Sequence, residues 1–128
     1  MHAAADDRRA LGRRGEDLAL AHLRALGCEL IARNHRTRYG EIDLIVRDGE
    51  ALVFVEVKSR RTTGAPLPNG PLDGLRARQR RRLRRLAAAW LAETDPRPRS
   101  ATLRFDAIGV LLDGDGALAR LDHVAGAM

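Results

Sequence analysis

Residues 41–58 read Glu-Ile-Asp-Leu-Ile-Val-Arg-Asp-Gly-Glu-Ala-Leu-Val-Phe-Val-Glu-Val-Lys. Two runs rich in β-branched residues, 41–46 and 51–58, flank an Asp-Gly pair, a pattern that predicts a β-hairpin. With Asp48 and Gly49 as the central turn residues, Arg47 pairs with Glu50, Asp43 faces Phe54 and Glu41 faces Glu56. Side chains alternate along a strand, so Glu41, Asp43, Phe54, Glu56 and Lys58 share one face. Asp43 and Glu56 are then diagonal neighbours, with α-carbons roughly 7–8 Å apart. Two carboxylates at that spacing can converge on one hard cation that takes oxygen ligands. The other face, Ile42, Leu44, Val46, Val53, Val55 and Val57, is apolar and belongs to a core.

A solvated sheet face carrying a Glu-Lys pair is the plainer interpretation. Composition argues against it. Of the 23 basic residues in the chain, Lys58 is the only lysine. In a chain so committed to arginine, a lysine kept two residues after Glu56 points to a need for a compact ammonium. Guanidinium cannot supply that, because it is planar and always charged.

Outward from the hairpin, residues 7–27 predict a helix with Leu11, Leu18, Leu23 and Leu26 on its apolar stripe and Gly27 as its stop. Glu16 sits at the edge of that stripe, either as a third acid of the site or paired on the surface with Arg13 or Arg24. Residues 28–33 form a strand candidate. Residues 59–73 read as a long loop with prolines at 66, 68 and 71. A second helix spans 75–94, with Leu75, Leu83, Leu86, Ala87, Trp90 and Leu91 on one stripe. Gln79 falls within that stripe, where its amide needs partners. It reaches either the carboxylate face or solvent near the helix start. Arg76, Arg78, Arg80, Arg81, Arg82, Arg84 and Arg85 surround the stripe with no acid between Asp73 and Glu93. A solvated helix face usually interleaves both signs, so this helix reads as one that contacts phosphates. Residues 102–112 form a strand, and 117–124 a last strand or frayed tail.

At 128 residues the chain is most simply one domain, able to bury about two-thirds of its unfolded surface. Its net charge of +6 favours polyanionic partners. Aromatic residues make up only 3%, which disfavours an aromatic platform for unpaired bases and fits duplex or backbone recognition. One cysteine, Cys28, excludes an internal disulfide framework. The sequence carries neither a signal-peptide core nor a membrane-length apolar run, so the expectation is a cytoplasmic protein with no membrane partner.

Asp43 followed across a hairpin by Glu56-Val57-Lys58 resembles the PD-(D/E)XK nuclease motif. Gly12-Arg13-Arg14-Gly15-Glu16, Asn34, residues 40–45 and 54–60, Arg78-Gln79-Arg80-Arg81 and Arg104-Phe105-Asp106 together resemble the YraN family of small uncharacterised, nuclease-like bacterial proteins. The likeness runs over roughly residues 10–123. It implies a restriction-endonuclease-like α/β fold related to Holliday junction resolvases, with a central mixed β-sheet flanked by helices in the order αβββαβ. It also implies a Mg²⁺ or Mn²⁺ site on Asp43 and Glu56, with Lys58 as catalytic lysine, Glu16 as the helix-borne acid and Gln79 as the helix amide. Ile42 stands where the motif's name has proline, and Arg78 where the family often has lysine. Asp106 and His123 also recur in the family pattern and are assigned to structure.

On this reading Asp43, Glu56 and the Val57 carbonyl would hold the cation. Arg78, Arg80, Arg81, Arg84 and Arg85 would contact the backbone of duplex or branched DNA. Cutting both strands would call for a second copy of the chain. The rival from another class is a nucleic-acid-binding module with a vestigial site, acting in repair or recombination. A third is an adaptor whose basic helix meets an acidic protein.

Overall fold

A computed structural model describes residues 3–62, 70–72, 77–94 and 102–127. Helix α1 (Ala3–Ala25) leads into three antiparallel strands, β1 (Glu29–Thr37), β2 (Gly40–Asp48) and β3 (Ala51–Arg61). A 3-10 turn at Gly70–Leu72 and helix α2 (Ala77–Glu93) follow, then β4 (Thr102–Leu112) and β5 (Leu118–Val124). The strands form one mixed sheet in the order β1-β2-β3-β4-β5. β4 runs parallel to β3, with Val57 beside Ile108 and Lys58 beside Gly109. A parallel neighbour needs a long crossover, and the segment carrying α2 supplies it.

The mixed α/β architecture agrees with the sequence reading, with corrections. The tail at 118–124 is a paired fifth strand, so the order is αβββαββ. β3 does not end at Lys58. Ser59, Arg60 and Arg61 stay in the sheet because β4 offers Val110, Leu111 and Leu112 as partners. The predicted loop therefore starts later, and its residues 63–69 and 73 lie outside the described residues, as does Leu75.

Each face of the sheet has its own core. On one side α1 sets Ala19, Leu20 and Leu23 against Leu44, Val46, Val53, Val55, Ile108 and Val110. On the other, α2 sets Leu83, Leu86, Ala87 and Trp90 against Ile42, Ile45, Leu52 and Phe54. The apolar stripe read from α2 is thus the buried one. Leu26, expected on the α1 stripe, is 59% exposed because the helix stops before it. Gly27 takes φ +92°, its N–H bonds to Arg24 O, and the Cys28 N–H bonds to Leu23 O. These are the two bonds of a Schellman cap, which turns the chain away from the helix axis.

A polar network ties the ends of the sheet to α1. The fully buried Asp106 carboxylate accepts two bonds from Arg104, at 2.9 and 3.1 Å, one from Gly126 N–H and one from His123 Nε2. With that proton on Nε2, His123 Nδ1 is left to accept from His22 Nε2 on α1 at 3.0 Å. Arg104 also reaches Asp48 at the end of β2. Burial pushes Asp106 up, but the bonds from Arg104, Gly126 and His123 outweigh it, and its pKa lies below the usual value. A carboxylate with a lowered folded pKa stabilises above its unfolded pKa near 4 and loses that contribution as pH falls. Asp106→Asn is expected to cost about 3 kcal/mol at neutral pH in urea denaturation, because Arg104 loses its anion and the amide nitrogen cannot accept as a carboxylate oxygen does. The cost should shrink as the wild-type carboxylate is protonated below pH 4.

Candidate functional site

The β2–β3 hairpin decides where the acids stand. Its turn is Gly49-Glu50 rather than Asp48-Gly49, and Asp48 pairs with Ala51. Gly49, at φ +58°, takes the first turn position, the one a type II′ turn gives to glycine. Asp48 remains in the strand, with its carboxylate held by Arg104. This moves the pairing by two residues. Asp43 therefore does not face Phe54, nor Glu41 Glu56; Phe54 pairs with Ile45. A two-residue shift conserves faces, so Glu56 stays on the side of Phe54. It also draws Asp43 level with Glu56.

The β2–β3 pairing is continuous from Asp48↔Ala51 to Leu44↔Val55 and stops there. At the next position the Asp43 carboxylate accepts the Val57 N–H at 2.8 Å. The backbone is distorted at the same level in β1. Asn34, between the pairs Arg33↔Leu44 and His35↔Ile42, has φ +51°. Asn is among the few side chains that tolerate this left-handed conformation. Ile42 consequently joins the α2-side core with Ile45, not the α1-side core with Leu44, which corrects the predicted apolar face.

The distortion gathers the polar groups. The Asn34 amide donates to Glu16, and Arg33 reaches Glu16 at 3.9 Å and Asp17 more closely. Glu16 therefore pairs with β1 rather than with Arg13 or Arg24. Gly15 lets α1 approach: a Cβ there would overlap Ser59 Oγ at 1.7 Å. The charges of Glu16, Glu41 and Glu56 all act on Asp43. Burial, foremost, raises its pKa to about 7, the three acids add to the rise, and the Val57 bond opposes it. Burial also raises Glu56, against the cations of Arg82 and Lys58. Glu16 is raised by burial too, opposed by Asn34 and Arg33.

The structure thus brings Asp43, Glu56, Lys58 and Glu16 together. Among the described residues no three His, Cys, Asp or Glu side chains are grouped to hold an ion by themselves. Gln79 lies half-buried near the start of α2, and the Arg78 side chain is outside the described residues. Arg80, Arg81, Arg84 and Arg85 are exposed. They do not form one row. Arg84 lies over Phe105 of β4, at 5.8 Å, and Arg85 over Tyr39 of the β1–β2 turn, at 5.8 Å. On the far side of Lys58, Pro71 and Leu72 press on β4 at Gly109, where a Cβ would sit 2.8 Å from both.

Sequence reasoning named three contributors without reading what they do. Asn34 gave no sign of its positive φ. Arg82 read as one arginine of seven, yet its charge reaches Glu56. Gly15, quoted only within the family-like run at 12–16, stands about two turns into the predicted helix, where the cost of a glycine needs a packing reason.

A carboxyl whose folded pKa is raised stabilises below its unfolded pKa, near 4, and that contribution is lost as pH rises through about 7. Asp43→Asn keeps an acceptor for the Val57 N–H and removes the buried charge. In cation-free buffer it should be more stable than wild type above pH 7, on the order of 2 kcal/mol. The gap should close toward pH 4 in thermal or urea denaturation.

The profile of the Uncharacterised protein family UPF0102 matches residues 15–110, which include Glu16, Asp43, Glu56, Lys58 and Gln79. A UPF0102 protein of Parafrankia sp. (strain EAN1pec) is 49% identical over 117 residues, covering 91% of this chain and 94% of its own. One from Nocardia farcinica is 45% identical over 118 residues, covering 92% and 88%. One from Pelotomaculum thermopropionicum is 43% identical over 119 residues, covering 93% and 95%. With its whole acid cluster inside the matched region, the chain belongs to the UPF0102 family.

Proposed function

We propose that this chain is a cytoplasmic, divalent-metal-dependent nuclease of the PD-(D/E)XK type, on a restriction-endonuclease-like fold, hydrolysing DNA phosphodiester bonds. The observation that carries this reading is that the charge of Glu56 acts on the buried Asp43 where the β2–β3 pairing ends. Burial holds both toward the protonated form; the charges of Glu56, Glu16 and Glu41 add to this at Asp43, while Arg82 and Lys58 act against it at Glu56. A bound cation would relieve Asp43, which is raised by burial and by three acids. Mg²⁺ commonly takes one or two protein carboxylates and fills its other positions with water and substrate phosphate. Asp43, Glu56 and the Val57 carbonyl therefore fit it without a third acid.

Bound there, Mg²⁺ or Mn²⁺ would lower the pKa of a water and neutralise charge on the scissile phosphate. Lys58, whose charge acts on Glu56, would orient that water or stabilise the developing charge. Asn34 and Arg33 hold Glu16 so that its carboxylate borders Asp43. Arg80, Arg81 and Arg85 would neutralise backbone phosphates, and Gln79 would position one near the site. The second reading is a nucleic-acid-binding module with a vestigial site, acting in repair or recombination. It is favoured by the lack of a three-side-chain ion cage among the described residues.

The test is calorimetric Mn²⁺ titration of wild type, Asp43→Ala and Glu56→Ala, beside cleavage of branched, nicked and linear DNA with Mg²⁺ or Mn²⁺. Both substitutions should abolish binding. Each, and Lys58→Met, should slow cleavage by about 100-fold or more. Below pH 7 a cation must displace the Asp43 proton, so affinity should rise with pH up to about 7 and then level. Absence of metal binding even with DNA present would overturn the nuclease reading and leave the binding module.

A further inference from the structure

Three of the four aromatic side chains serve the α2-side core. Phe54 meets Trp90 edge-on at 5.8 Å and Phe105 in a stack at 5.6 Å. Tyr39 does not. It is 45% exposed and stands in the two-residue turn between β1 and β2. Turn chemistry does not call for it, since such turns favour Gly, Asn and Asp.

The turn is nonetheless rigidly built. Thr37 is buried, and its hydroxyl donates to Gly40 O at 3.0 Å while accepting the Tyr39 N–H at 3.1 Å. Gly40 has φ +133°, and a Cβ there would stand 3.1 Å from an Arg82 guanidinium nitrogen and 3.5 Å from Leu86. The turn is therefore pressed on α2. Two guanidinium groups from different elements lie over the ring: Arg38, 4.9 Å from its centroid, and Arg85 of α2, 5.8 Å away. Arg82, beside Gly40, is also the arginine whose charge reaches Glu56. A ligand held at Tyr39 would thus lie one side chain from the acid cluster.

A half-exposed ring with guanidinium groups over it suits a group with a flat face next to anions, the flat face entering the stack as the anions draw the guanidinium groups to themselves. An unpaired nucleotide has both, in its base and its flanking phosphates. A paired base offers no free face. We propose that the β1–β2 turn is the contact for an unpaired nucleotide adjoining duplex DNA, with the base stacked on Tyr39 and its phosphates on Arg38 and Arg85. This rests on the reading that the chain binds nucleic acid, and it names a substrate class: DNA with a single-stranded segment beside a duplex. One aromatic is not a platform for a long single strand, so a single stacked base next to a backbone-tracking helix is the form that the low aromatic content permits.

The test uses fluorescence anisotropy in EDTA, which prevents cleavage. Three labelled probes share one duplex: blunt, with a four-nucleotide overhang, and with the same overhang made abasic. Wild type should prefer the natural overhang to the other two by about tenfold, the size of one base–aromatic stack. Tyr39→Ala should erase that preference while leaving blunt-duplex affinity and thermal stability unchanged. Tyr39→Phe should retain it, since the ring face is kept. Arg38→Gln should weaken both overhang probes more than the blunt one and lower their salt dependence by about one ion. Equal wild-type binding to all three probes, or an equal loss on all three in Tyr39→Ala, would overturn the stacking proposal while the nucleic-acid reading stands. Failure of wild type to bind any probe at low salt would overturn both.

Discussion

One hydrogen bond, from the Val57 N–H to the Asp43 carboxylate, organises the centre of this protein. In an uninterrupted antiparallel pair that N–H would belong to the ladder. Here the pairing of β2 with β3 ends one residue earlier, and a side chain replaces a carbonyl. The substitution satisfies the donor, as a buried backbone group requires. It also pulls a carboxylate into the sheet, where desolvation works against its charge. The neighbouring groups follow from that placement. Asn34 adopts its left-handed backbone at the same level of β1, Ile42 turns to the α2 side, and Glu16 is drawn to β1 by Asn34 and Arg33.

The two halves of the polar interior are handled in opposite ways. Around Asp106 every carboxylate lone pair in use has a positively disposed donor, so burial is offset and the anion is favoured. Around Asp43 the neighbours are mostly other acids, and burial is not offset. The first arrangement contributes stability by joining α1, β2, β4 and β5. The second costs stability in the absence of a counter-ion.

The arginines of α2 acquire separate tasks from their positions around the helix. Arg84 lies toward β4 and Phe105, while Arg82 and Arg85 lie toward the β1–β2 turn. Arg80 and Arg81 are exposed. Repulsion among so many guanidinium groups is relieved by spreading them over aromatic faces and acids on both flanks. The basic surface therefore extends beyond the helix to the turn, and one of its arginines borders the acid cluster.

Local pattern alone determined much of this. The alternation in 41–58 specified a hairpin, and side-chain parity put Glu56 and Lys58 on one face. The leucine spacing of α2 specified which stripe is buried, and the single lysine marked its own position. These features depend only on periodicity and composition, which are properties of neighbouring residues. The tertiary structure decided the rest. Arg104 of β4 holds Asp48 in the strand, which sets the turn at Gly49-Glu50 and moves the pairing by two. The distortion shared by Asn34 and Asp43 arises between two strands, not within either. Arg82 was indistinguishable from six other arginines until the sheet placed Glu56 near it. Tyr39 was one aromatic among four until the other three were buried. In each case the deciding partner lies far along the chain, so no local reading could supply it.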